Sequence, residues 1–127
     1  MNNSLILVAE DERDIRELIV FTLQLAGLRV MDVPNGEEAV KKALEIIPDL
    51  ILMDVRMPKM TGFEACRALK QQEATKDIPV IFLSAKGQEA EIHTGLEVGA
   101  EEYFLKPFAP EDLTRQVNKV LDRYGKL

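Results

Sequence analysis

The sequence predicts an α/β domain with a five-stranded parallel sheet between two layers of helices. Apolar runs alternate with amphipathic stretches from end to end, the stretches are long enough to hold helices, and three runs are continuously apolar rather than alternating. Continuous runs mark strands covered on both faces, and helical crossovers return the chain in the same direction. The expected architecture is therefore three-layer α/β/α, in the order βαβαβαβαβα.

The strands are expected at Leu5–Ala9, Leu28–Val33, Leu50–Met53, Val80–Ser84 and Glu101–Leu105. The first helix repeats Ile15, Leu18, Ile19, Thr22, Leu25 and Ala26 and stops at Gly27, a residue type suited to the turn after a helix. The second begins near Asn35, a cap with Glu38 three residues on, carries Ala39, Val40, Ala43, Leu44 and Ile47, and ends at Pro48. Thr61-Gly62-Phe63-Glu64 reads as a capping box that opens the third helix, with Phe63, Cys66 and Leu69 on its inner side. The fourth, Gln88–Val98, is the weakest, with Gly95 inside and only Ile92, Leu96 and Val98 to bury. Glycine costs a helix interior about 1 kcal/mol against alanine, so this helix is expected to be the mobile one. The fifth has a clean stripe of Leu113, Val117, Val120, Leu121 and Tyr124.

At 127 residues the chain is the length of one domain, and residues 1–127 are expected to form one. A net charge of −6 argues against direct nucleic-acid binding, which needs a basic face. No apolar stretch approaches the ~18 residues of a membrane span, and no signal peptide is recognisable. A single cysteine, Cys66, fits a reducing cytoplasm and reads as core filler. His93 is expected on the exposed side of the fourth helix, and Met57 and Met60 as loop packing.

The chemistry gathers at strand ends. Glu10 and Asp11 follow the first strand, Asp54 closes the third, Ser84 ends the fourth, and Lys106 follows the fifth. Ligands of open parallel sheets sit beyond the carboxyl ends of the strands, so these residues are expected in one pocket. Crowded carboxylates repel unless one takes up a proton or a cation gathers them. An all-oxygen set favours Mg2+ over zinc and leaves the ion room for a phosphate oxygen. Lys106 and Ser84 would meet the same anion, with Asp54 as nucleophile.

The run Asp54-Val55-Arg56-Met57-Pro58-Lys59-Met60-Thr61-Gly62-Phe63-Glu64 resembles the D-x-x-M-P-x-M-x-G-x-E signature of response-regulator receiver domains. Glu10-Asp11, Ser84-Ala85-Lys86, Gly99-Ala100-Glu101-Glu102-Tyr103 and Lys106-Pro107-Phe108 are similar to the family's remaining blocks, in order and spacing. The resemblance implies a strand order 2-1-3-4-5, a cis peptide at Lys106-Pro107, and a phosphorelay function in two-component signalling. It implies that Asp54 accepts a phosphoryl group from a sensor histidine kinase or phosphotransfer domain. It also implies that Asp11, Asp54, the backbone carbonyl of Arg56 and, mainly through water, Glu10 hold Mg2+ (or Mn2+). Ser84 and Lys106 would contact the phosphoryl group, and Tyr103 would turn inward when Ser84 moves toward it. Glu10 replaces the commoner aspartate, and Arg56 and Lys86 are basic residues that would slow hydrolysis of the acyl phosphate. Such a domain promotes only its own phosphotransfer and dephosphorylation, and it switches a downstream effector through the face made by the fourth helix, fifth strand and fifth helix.

Each residue also has a plainer reading. Glu10-Asp11-Glu12 could merely complement a helix dipole, Ser84 could cap a turn, and Tyr103 could be a half-buried aromatic. Glu97, Glu101 and Glu102 against Arg115, Lys119 and Arg123 suit a two-fold dimer formed on phosphorylation. The plainer alternative there is a solvated face with a Glu111–Arg115 pair. Two other functions compete. An aspartyl-nucleophile phosphatase would need a second acid where Arg56 stands, and a flavin carrier would need a phosphate-cradling loop where Glu10-Asp11-Glu12 stands.

Overall fold

The computed structural model describes residues 4–84 and 89–126. Its elements run β1 (Leu5–Ala9), α1 (Arg13–Leu25), β2 (Arg29–Val33), α2 (Gly36–Ile46), β3 (Leu50–Asp54), α3 (Gly62–Lys70), β4 (Val80–Ser84), α4 (Glu89–Glu97), β5 (Glu102–Leu105) and α5 (Pro110–Arg123). The strands form one parallel sheet in the order β2-β1-β3-β4-β5, as the resemblance implied.

Burial explains the apolar runs. β3 and β4 are buried along their whole length and β1 from Ile6 onward, whereas β2 and β5 are the partly exposed edges. Alternate strand residues point to opposite faces. Leu7, Ala9, Ile51, Met53 and Phe82 therefore pack with α2 and α3, through Ala39, Ala43, Ala65, Cys66 and Leu69. Ile6, Val8, Leu50, Leu52 and Ile81 pack with α1 and α5, through Ile19, Leu23, Val117 and Leu121.

The caps follow the sequence closely. The Asn35 side chain accepts a hydrogen bond from the Glu38 N–H at 2.8 Å. Thr61 Oγ1 accepts from the Glu64 N–H at 3.2 Å, and Glu64 Oε1 accepts from the Thr61 N–H at 2.9 Å. α2 stops at Ile47, whose φ of 44° is left-handed, just before Pro48. Cys66 is fully buried and donates to the Val98 carbonyl at 3.4 Å. Met57 and Met60 pack against the core, and His93 is exposed beside Glu97.

Three expectations need correction. α1 buries Ile19 and Leu23, while Leu18 and Leu25 of the expected stripe are 48% and 73% exposed, with Phe21 at 60%. α1 touches the sheet along one narrow line, so apolar residues a step round the helix stay on the surface. Arg115 pairs with Asp112 at 2.7 Å rather than with Glu111. The facing charged rows pair partly within the chain: Arg123 lies 2.7 Å from Glu101 and 3.7 Å from Glu102, and the Tyr124 hydroxyl donates to Glu101 at 2.7 Å. Tyr124 thus ends the α5 stripe at the surface.

Candidate functional site

Parallel strands deliver their carboxyl ends to one edge of the sheet, and each key residue there is pinned by one bond that prolongs the ladder. The Glu10 N–H donates to the Val33 carbonyl at 3.1 Å, Val55 to Leu83 at 3.0 Å, and Lys106 to Ser84 at 2.8 Å. A cleft of about 610 Å³ opens at this edge, lined by Asp11, Asp54, Arg56, Ser84 and Lys106, with Phe108 on one wall. The Lys106-Pro107 peptide is cis.

The loop after Asp54 turns back sharply, and the Gly62 N–H donates to the Val55 carbonyl at 2.9 Å. A Cβ at Gly62 would lie 2.3 Å from the Asp54 carbonyl oxygen, so only glycine admits this approach. The glycine of the sequence motif is therefore what lets the loop close beneath Asp54.

The acids converge. Glu10, Asp11 and Asp54 each offer a carboxylate oxygen, and these oxygens lie within 4.8 Å of one another. Glu10 is fully buried; its Oε1 accepts from Lys106 Nζ at 2.6 Å and its Oε2 from the Glu12 N–H at 3.2 Å. Lys106 Nζ also stands 3.4 Å from Asp54. Glu10 thus has first claim on the ammonium. Burial and the neighbouring Glu10 charge together push Asp54 up to about 7, against the pull of Lys106. Burial works against the Lys106 ammonium, but its hydrogen bond to Glu10 and the charges of Asp54 and Glu10 outweigh it and hold its pKa above the ordinary lysine value. One ammonium shared among three acids leaves a net negative, oxygen-only pocket. That donor set fits a hard divalent cation such as Mg2+.

The remaining residues divide. Ser84 lines the cleft, but its hydroxyl donates to Glu91 Oε1 on α4 at 3.1 Å. Tyr103 stands outside the cleft, half-buried against Phe82 with ring centroids 6.4 Å apart. Burial, opposed by its hydrogen bond to Ser84 and reinforced by that to Glu91, pushes its phenol up to about 12. Lys86 lies outside the described residues.

Sequence reasoning missed two contributors. Arg16, one turn into α1, donates to the Glu10 carbonyl at 2.8 Å and to Asp32 at 3.0 Å, clamping the acidic loop to β2. Its signal was a basic residue one helical turn beyond the acids. Glu91 had no signal, because its partner Ser84 lies on another element, β4.

An α/β sheet with acids, a lysine and a hydroxyl at the strand ends defines the class of phosphate-handling signalling domains, and comparison with known proteins makes the class specific. A model of the response regulator receiver domain matches residues 6–118, and the chain belongs to that family. It is 43% identical over 120 residues to the phosphate regulon transcriptional regulatory protein PhoB of Pseudomonas aeruginosa, covering 94% of this chain and 52% of that protein. Chemotaxis response regulator CheY4 of Vibrio cholerae superposes with a TM-score of 0.90 at 36% identity, covering 94% of this chain and all of that one. The receiver domain of the sensor histidine kinase PA1611 of Pseudomonas aeruginosa, solved with a magnesium ion in its active-site cleft, matches with a TM-score of 0.86 at 32% identity over 92% of this chain and 96% of that one. The chain spans about half the length of the curated relatives it matches. It is a receiver domain of two-component signalling rather than a conventional enzyme.

Proposed function

We propose that Asp54 is the phosphoacceptor of this receiver, and that residues 1–127 act as one phosphorylation-switched unit. The observation that carries this is the convergence of the Glu10, Asp11 and Asp54 carboxylates, with Asp11, Asp54, Lys106 and Ser84 lining a single cleft. An Asp54 oxygen attacks the phosphorus of a phosphohistidine. The phosphorus–nitrogen bond breaks, the imidazole leaves with the bonding pair, and an acyl phosphate remains on Asp54. The Lys106 ammonium pairs with one phosphoryl oxygen, and the Ser84 hydroxyl turns to donate to another. Glu10, Asp11, Asp54 and the Arg56 backbone carbonyl would hold Mg2+ (or Mn2+), which when bound neutralises charge building on the phosphoryl oxygens. Arg56, on the cleft wall, shields the product from water and slows the domain's own dephosphorylation. Tyr103 follows Ser84 inward.

The donor in this reading is a sensor histidine kinase or a phosphotransfer domain, and the output is an effector that reads the α4–β5–α5 face. Several relatives about twice this length are named transcriptional regulatory proteins, so a transcriptional output is the reading we favour for the whole protein. The acidic receiver would not itself contact DNA. A cytoplasmic location fits a single cysteine, Cys66, that is buried in the core; among the described residues no helix is long and apolar enough to cross a membrane.

The test is intact-mass analysis after incubation with acetyl phosphate and Mg2+. Wild type should gain the mass of one phosphoryl group, and Asp54→Asn or protein in chelator should gain none. An unmodified wild type would overturn the proposal.

A further inference from the structure

The geometry points to Glu91 as a positioning residue that holds Ser84 and Tyr103 in the resting arrangement, so that α4 itself sets how readily the receiver switches. This rests on the phosphoacceptor reading of Asp54 and extends it to a residue that sequence reasoning did not single out.

Two observations on one helix face carry the inference. The Ser84 hydroxyl has one proton to donate, and it is directed to Glu91 Oε1 at 3.1 Å. A hydroxyl that turns to a phosphoryl oxygen must give that bond up. One turn further along α4, Gly95 is buried against Tyr103. A Cβ there would stand 3.1 Å from the Tyr103 ring, 3.2 Å from Phe82 and 3.4 Å from Phe63. Residues four apart share a helix face. The face that takes the Ser84 proton through Glu91 therefore also receives the Tyr103 ring at Gly95. The Tyr103 phenol is close enough to Ser84 and Glu91 for both to act on its proton, which closes the cluster. The Ser84 proton cannot turn to a phosphoryl oxygen in the cleft without releasing Glu91.

The consequence is a bias toward the resting state. An interaction present only in that state lowers apparent affinity for any ligand that needs the other. Removing one such hydrogen bond should tighten that ligand about three- to tenfold.

The experiment titrates Mg2+ with beryllofluoride, a phosphoryl mimic, in a Tyr124→Phe background, so that Tyr103 is the only tyrosine reporting. Glu91→Ala should bind beryllofluoride about three- to tenfold more tightly than the parent. Its ligand-free tyrosine signal should already lie partway to the bound position. Glu91→Gln loses the charge but keeps an oxygen that accepts from Ser84, so it should bind within about twofold of the parent. Equal tightening in both variants would mean simple relief of charge repulsion and would overturn the inference. So would an unchanged affinity or an unmoved resting signal in Glu91→Ala. A parent that shows no beryllofluoride response abolished by Asp54→Asn would instead sink the phosphoacceptor reading. A responding parent with an indifferent Glu91→Ala would sink the Glu91 assignment alone.

Discussion

α4 and α5 flank β5 on opposite faces of the sheet, and they hold on to it very differently. α5 buries Leu113, Val117, Val120 and Leu121, four large side chains set at helical spacing. Among the described residues of α4, only Gly95 is buried, and Leu96 is 52% exposed. A helix anchored by apolar area resists displacement, because each buried leucine or valine contributes roughly 1.5–3 kcal/mol. A helix that, among its described residues, rests on a glycine contact, a polar side chain and the half-buried Ile92 resists it far less. The contrast separates two duties: α5 braces the edge strand, and α4 can respond to what happens at Ser84.

The contrast can be broken most directly in α5. Leu121→Ala should cost about 2–5 kcal/mol in chemical denaturation, through lost burial and the cavity left behind. A cost under 1 kcal/mol would show that α5 does not brace the sheet. Next comes the cleft at the carboxyl edge of the sheet. Asp54 has its pKa raised from 3.8 to about 7 by burial and Glu10, so the folded chain holds this proton more tightly than the unfolded chain does. Stability should therefore fall as pH rises from about 4 to about 7 and stay low above that. In chelator, Asp54→Asn should stabilise the protein by about 1–3 kcal/mol at pH 8 and hardly at all at pH 4. An equal gain at both values would refute the assigned cause.

Gly95→Ala tests α4 itself. Alanine favours a helix by about 1 kcal/mol, but here its Cβ would press on Tyr103 and Phe82, so the gain should be largely cancelled and the Tyr103 signal should move. A full propensity gain with a still tyrosine would show that Gly95 is not a seat for the ring. The smallest effect belongs to Leu96→Ala, expected to stay within about 0.5 kcal/mol of wild type. Hydrogen exchange sharpens the whole comparison: α4 amides should exchange through openings well below the global unfolding energy, and α5 amides only near it.

Much of this could be read from the residues. Continuous apolar runs gave away β1, β3 and β4, since only a doubly covered strand is apolar on both sides. Asn35 and Thr61 marked helix starts because a cap is a local interaction between neighbours in sequence. The site residues were legible for a similar reason, as parallel strands all end on one edge. The failures were of a different kind. Which leucines of α1 face inward depends on how the helix sits on the sheet, so Leu18 and Leu25 were misplaced and Leu23 overlooked. Arg16–Asp32, Lys106–Glu10 and Ser84–Glu91 are pairings across elements, and sequence order carries no record of them.

One contact far from the cleft has a practical corollary. The Ser4 hydroxyl donates to the Lys126 carbonyl, and Lys126 Nζ lies 3.7 Å from Asp49, so the start of β1 and the tail of α5 meet at the edge opposite the acids. Fluorophores fused before Ser4 and after Lys126 would sit side by side with the cleft mouth unobstructed. Joining the two ends with a short linker and reopening the chain at an exposed loop should yield a circular permutant that still folds.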